Sequence, residues 1–247
     1  MGLKLMCVTA HPDDECFAFG GALALTADRG IETYVICLTD GQAAANRGEA
    51  VTAAALGAIR REEFRRSCEV LGVTQHELMD YHDARLEFLE FPPAAGRLVE
   101  RIRRFKPNVV ITFGGDGGLN NHADHMMTSM LTTAAFHWAW QAKRYPDVGT
   151  PHKAQRLYYV TSNFPMQDRE PAMMMPWTVR LDIRSVRDRK TNAFRQHVSQ
   201  APLMERTKDF FERYGDEEFY ALAATADQQP ARRETDLFAG LSAPLAE

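Results

Sequence analysis

Leu3-Lys4-Leu5-Met6-Cys7-Val8-Thr9-Ala10-His11-Pro12-Asp13-Asp14-Glu15 runs from a short apolar stretch straight into a histidine, a proline and three acids. Leu3 to Thr9 reads as a buried strand. A helix rich in alanine and leucine follows from Phe17 to Arg29, closed by Gly30 in the usual stop position. Ile31 to Leu38 is a second buried strand, and Ala53 to Leu71 a long helix stopped by Gly72. Leu78 to Tyr81 is a short third strand, and Pro92 to Phe105 has a helical period in Leu98, Val99, Ile102 and Phe105. Asn108 to Phe113, Leu157 to Thr161 and Thr178 to Ile183 read as further strands. His125 to Gln141, Ser185 to His197 and Leu203 to Tyr214 read as helices. Strand and helix alternating in this way indicate an α/β chain with a Rossmann-like, doubly wound, mostly parallel sheet flanked by helices. One domain over residues 1–247 is the economical organisation, with 226–247 as a C-terminal tail. Residues 163–177, with Met173-Met174-Met175 and three prolines, form an irregular loop that could wall or cover a site.

Composition narrows the function. The chain has 247 residues, 45% hydrophobic and 25% charged, ordinary for a globular protein with a sizeable core. A net charge of −4 argues against a nucleic-acid partner. The arginines at 60, 61, 65 and 66 interleave with Glu62, Glu63 and Glu69, which reads as a solvated helix face. No stretch approaches the length of a membrane span. Four cysteines without CxxC spacing fit a reducing compartment, and with no secretory cleavage pattern the expected location is cytoplasmic. Cys16 could serve as a metal ligand, but inert packing is the simpler reading.

The chemistry lies in two segments, Ala10 to Glu15 and His122-Ala123-Asp124-His125, each following a buried strand. The first is also a good helix start, with proline in the first turn and acids at the positive end of the dipole. That explains Pro12, Asp13, Asp14 and Glu15 and leaves His11 without a reason. In a sheet of order 3-2-1-4-5, the first and fourth strands are neighbours at the switch point, so both segments reach one crevice at the carboxyl edge. Two imidazoles and a carboxylate, with a fourth position open, make a catalytic zinc site. The same donor types serve non-haem iron, but those oxygenases generally occupy all-β folds, so zinc is preferred with Fe2+ as a possible substitute. His125, near a helix start, should stay neutral as a ligand must. No GxGxxG, GxSxG or GxxxxGK[ST] motif is present.

Ala10-His11-Pro12-Asp13-Asp14-Glu15 with His122-x-Asp124-His125 resembles the LmbE-like, or PIG-L, family of zinc-dependent N-acetylglucosaminyl deacetylases. Supporting matches are Arg60-Arg61-Glu62-Glu63, Leu71-Gly72-Val73, Asp83, and Lys190-x-x-Ala193-x-x-x-His197-x-Ser199-Gln200. The resemblance implies His11, Asp14 and His125 as zinc ligands and Asp13 as general base. It makes His122 the group that steadies the oxyanion and protonates the leaving amine, with Asp124 as a partner orienting His122 or a plain helix cap. Arg60 and Asp83 fall at sugar-binding positions. Asn120 stands where many members carry a tyrosine, so that contact would be lost or taken by an amide. His197 reads as a packed helix residue. The implied reaction is removal of an N-acetyl group from a small N-acetylglucosamine-type sugar or glycoconjugate, possible in a homo-oligomer. The alternatives are a zinc amidase on another small amide, such as a thiol-conjugate or antibiotic-type substrate, and an inactive sugar-binding relative.

Overall fold

The computed structural model describes residues 2–118, 120–163, 173–227 and 231–242. Seven strands form one sheet: β1 (Lys4–Thr9), β2 (Glu32–Thr39), β3 (Gln75–Tyr81), β4 (Val109–Thr112), β5 (Arg156–Thr161), β6 (Val179–Asp182) and β7 (Glu217–Thr225). Their spatial order is β3-β2-β1-β4-β5-β7-β6. The helices are α1 (Asp14–Phe17), α2 (Gly20–Asp28), α3 (Ala53–Leu71), α4 (Phe91–Phe105), α5 (Ala123–Trp138), α6 (Arg187–Phe194), α7 (Ala201–Arg206) and α8 (Lys208–Tyr214).

The first five strands are parallel and take the expected doubly wound order. Leu5, Met6, Cys7 and Val8 of β1 are buried on both faces, which is why the run is apolar without alternation. β1 and β4 are direct neighbours, with Cys7 opposite Ile111, so their carboxyl ends open side by side. Right-handed crossovers put α2 and α3 on one face and α4 and α5 on the other. α6 packs on α2 and α3. Thr52 caps α3, its hydroxyl accepting the Ala55 N–H at 3.1 Å, and Gly72 ends it at φ 79°.

Four features depart from the sequence reading. β7 pairs antiparallel with both β5 and β6, and its Glu-Glu-Phe-Tyr-Ala-Leu-Ala-Ala-Thr sequence carries little strand signal. The helix expected at 203–214 divides at Thr207, whose hydroxyl bonds back to the Leu203 carbonyl at 2.9 Å. The helix expected to reach His197 ends at Phe194. Within the expected tail, Leu237 and Phe238 are buried in the core and Glu234 bridges to Val179. Most of the methionine-rich segment, residues 164–172, lies outside the described residues.

The unforeseen strand carries a buried anchor. Glu218 accepts the Gly21 and Ala22 N–H groups at 2.6 and 2.9 Å, a carboxylate at the start of α2. It also meets Lys190 Nζ at 2.7 Å and the Tyr220 hydroxyl at 2.8 Å. Glu218→Ala strands a buried ammonium and two helix donors, and should lower unfolding free energy by about 3–5 kcal/mol. Urea denaturation checks this: the midpoint should fall with an unchanged slope.

Candidate metal centre

The carboxyl ends of β1 and β4 deliver the two motifs to one crevice. His11 Nδ1 lies 3.2 Å from His125 Nε2, His125 Nε2 lies 3.2 Å from Asp14 Oδ1, and His11 Nδ1 lies 3.6 Å from Asp14 Oδ2. Donors each held 2.0–2.1 Å from one tetrahedral ion stand about 3.3–3.4 Å apart, so the two separations from His125 Nε2 fit a single cation of zinc size, and one ligand atom from each of the three residues lies within 4.8 Å of the others. All three residues are buried.

Each ligand is aimed by a partner. Asp14 Oδ2 accepts the Ala10 and His11 N–H groups at 3.1 and 2.8 Å, which turns Oδ1 toward His125. His125 Nδ1 donates to the Gly117 carbonyl at 3.0 Å, leaving the Nε2 lone pair for the ion. Its ring stacks on Phe113, centroids 4.0 Å apart and planes at 8°. Gly117 turns at φ 72°, and a Cβ there would sit 2.9 Å from the His122 nitrogen, so the position demands glycine. His11 Nε2 meets Asp83 at 3.0 Å and Asp124 at 3.2 Å, which fixes its proton on Nε2 and frees Nδ1.

The Asp124 carboxylate therefore orients His11, and the expectation that it orients His122 is corrected. Its oxygens also accept the Ala84 and Leu86 N–H groups, so it faces the β3 loop. What His122 receives from Asp124 is the backbone N–H, at 3.2 Å on Nδ1. His122 is thus the N-cap of α5, and its proton sits on Nε2 in the neutral ring. Burial, then the charges of His11 and His125, hold its pKa below the ordinary value, so the neutral donor form prevails.

The electrostatics ask for a cation. Asp14, Asp83 and Asp124 crowd the His11 ring, a buried excess of negative charge that is costly unless neutralised. Burial alone would push the His11 pKa down, yet its hydrogen bonds to the Asp124, Asp14 and Asp83 carboxylates outweigh it and draw a proton on. A divalent ion answers the same demand. Asp14, despite burial, is held well below the usual carboxylate range by His125 and His11.

Asp13 stands beside the ligands in an unusual backbone state, φ 104° and ψ −29°, a strain of about 1–3 kcal/mol for a non-glycine residue. Burial pushes its carboxyl up to about 6, against the pull of Arg60 and with the push of Asp14. Asp13 Oδ2 accepts from Arg60 at 2.8 Å, whereas Oδ1 has no protein partner among the described residues. Arg60 also donates to the Pro12 carbonyl and, at 3.1 Å, to that of Gly41, and is 2% exposed. Asp83 Oδ2 accepts the Ala43 N–H at 3.0 Å, and Asn120 Oδ1 accepts the His122 N–H at 3.0 Å.

Two other donor groups come close enough to consider for an ion. In His11, His122 and Asp124, the carboxylate and His122 Nδ1 are already committed to backbone N–H groups. In Glu15, Cys16 and His197, burial, then Glu15 and Asp13, raise the thiol pKa, so Cys16 stays protonated and donates to the Asp13 carbonyl at 3.0 Å. The first triangle is the one with free lone pairs. Sequence reasoning missed Glu15, Ser67 and His197 as a linked buried group, because Glu15 already had a reason as a helix-start acid.

The family model described as PIG-L: GlcNAc-PI de-N-acetylase matches residues 6–136, more than half of the chain. A mycothiol S-conjugate amidase from Streptomyces coelicolor is 33% identical over 64% of this chain, which spans 60% of that relative's length. A probable N-acetyl-alpha-D-glucosaminyl L-malate deacetylase 2 from Bacillus cereus is 30% identical over 83% of this chain and 86% of its own. The solved structure of N,N'-diacetylchitobiose deacetylase from Pyrococcus horikoshii, in complex with an inhibitor, superposes with a TM-score of 0.72. At 22% identity it covers 89% of this chain and 83% of that one, a likeness of fold.

Proposed function

The chain belongs to the PIG-L, GlcNAc-PI de-N-acetylase, family, and from that premise we propose that it is a zinc-dependent N-deacetylase of an N-acetylglucosamine-type sugar or glycoconjugate. The observation that carries the reading is the convergence of His11, Asp14 and His125, with His125 Nε2 3.2 Å from both His11 Nδ1 and Asp14 Oδ1, and Asp13 beside them. His11, Asp14 and His125 would hold the ion. When bound, it supplies Lewis acidity that polarises the acetamide carbonyl and acidifies water.

The chain's own residues do the rest. Asp13, through Oδ1, takes the proton given up by the attacking water. His122 Nε2–H donates to the oxygen that becomes negative as the carbonyl carbon turns tetrahedral. The proton held by Asp13 then passes to the nitrogen as the C–N bond breaks, leaving acetate and a primary amine, while His122 stays neutral and keeps its N–H on the oxygen. Arg60 and Asp83 act from behind, Arg60 on Asp13 and Asp83 on His11, because the Arg60 Nη groups and the Asp83 carboxylate are already engaged with protein partners. Asn120 sets the turn that presents His122.

The amidase similarity favours a second reading with the same bond chemistry, hydrolysis of the amide of a larger thiol conjugate. No helix among the described residues is long and apolar enough to cross a membrane. Four free, buried thiols support action in a reducing compartment, the cytoplasm.

Acetate and amine release over a panel of N-acetylated sugars and glycoconjugates tests the proposal. Zinc-loaded protein should release both in equal amounts on at least one member. Chelation should abolish release and added zinc restore it. A zinc-loaded protein silent on sugars but active on thiol-conjugate amides would select the second reading, and silence on both would reject deacylation.

A further inference from the structure

Glu15 is fully buried two residues beyond Asp13. Its Oε2 accepts the Asp13 N–H at 2.9 Å. Its Oε1 accepts the Ser67 hydroxyl and faces His197 Nε2 at 2.7 Å. His197 is 1% exposed, and its Nδ1 has no partner among the described residues, so the ring is tied down by Glu15 alone. Ser67 and Arg60 lie seven residues apart on α3, two turns along one face. Asp13 is therefore held at three points: its N–H by Glu15, its carbonyl by the Cys16 and Phe17 N–H groups, and Oδ2 by Arg60.

The left-handed backbone at Asp13 persists only if its surroundings enforce it. A helix-start acid needs no buried hydroxyl and imidazole behind it. A carboxylate locked by both and turned onto the strained Asp13 N–H does what enforcement requires.

We propose that Glu15, locked by Ser67 and His197, is a positioning residue that keeps Asp13 in its left-handed conformation so that Oδ1 faces the reacting water. The inference rests on Asp13 as the base of the proposed reaction. Glu15 touches neither substrate nor the metal ligands' donor atoms and acts through Asp13 alone.

Two measurements on the full, zinc-loaded chain test it. In the first, Glu15→Ala should lower kcat about 10- to 100-fold, the cost of misplacing a reacting group by roughly 1 Å, with KM and zinc content unchanged. Glu15→Gln keeps an acceptor for the Asp13 N–H and a donor for His197, and should stay within about threefold of the parent. On an Asp13→Asn background, Glu15→Ala should cost nothing further, because the group it positions is gone. A merely structural Glu15 would lower the residual activity again, and that additive loss would overturn the proposal.

The second measurement needs no substrate. Hydrogen exchange of the Asp13 amide should be slow in the parent and in Glu15→Gln, and fast in Glu15→Ala. If Glu15→Ala does not fold, Ser67→Ala is read the same way, with exchange faster by about 3- to 10-fold. Unchanged exchange in both overturns the grip whether or not a substrate has been found. Silence over the substrate panel with the exchange result as expected rejects the deacetylase reading alone.

Discussion

Asp13→Asn should keep its zinc and lose turnover by about 10²–10⁴-fold, the usual worth of a positioned general base. The substitution preserves the shape of the side chain, and its amide oxygen can still accept from Arg60 where Asp13 Oδ2 does now at 2.8 Å. The metal ligands are on other residues, and Asp14 is oriented by the Ala10 and His11 N–H groups, which the change does not touch. What disappears is the proton-accepting oxygen, Oδ1, which has no partner among the described residues. Because the proton moves in the transition state, kcat and kcat/KM should fall together while KM holds. Zinc content measured on the same preparation separates this outcome from loss of the metal. Parent-level turnover in Asp13→Asn would remove Asp13 from the mechanism.

The parallel half of the fold was legible because its strands are buried on both faces and so appear as unbroken apolar runs: Leu5 to Val8, Tyr34 to Leu38 and Val109 to Ile111. β3 was only half visible, since it is an edge strand whose first three residues are Gln75, His76 and Glu77. β7 was invisible for a different reason. Its Glu218 is polar because it caps α2, 197 residues away in sequence, and neutralises Lys190, 28 residues away, demands no local pattern records. At the site, the ligand triangle could be inferred because each histidine follows a strand, and strand order then brings them together. The supporting contacts could not. Asp124 serving His11 instead of its neighbour His122 depends on how α5 sits against the β3 loop, and Glu15 reaching Ser67 and His197 depends on how α3 and α6 pack.

The choice among overlapping donor sets gives the second large effect. His125→Ala should abolish zinc binding and, with it, all metal-dependent activity. It removes one corner of the triangle and leaves Asp14 and His11 as a two-donor site with no partner for the Gly117 carbonyl. His122→Ala is the control. His122 contributes Nδ1 to the cap of α5 and Nε2 to the cleft, so that variant should keep stoichiometric zinc while turnover falls about 10²–10³-fold, the worth of one oxyanion donor. Thermal unfolding reads the difference without a substrate. An ion that binds only the folded chain stabilises it by about 2.7 kcal/mol at a hundredfold excess over Kd. Added zinc should therefore raise Tm in the parent and in His122→Ala, and leave it unmoved in His125→Ala. The reverse pattern, with zinc retained in His125→Ala and lost in His122→Ala, would move the ion to the opposite edge of the His11 ring, between Nε2, His122 and Asp124. His11 would then bind through the nitrogen that now faces Asp83 and Asp124, and Asp13 would no longer stand beside the metal.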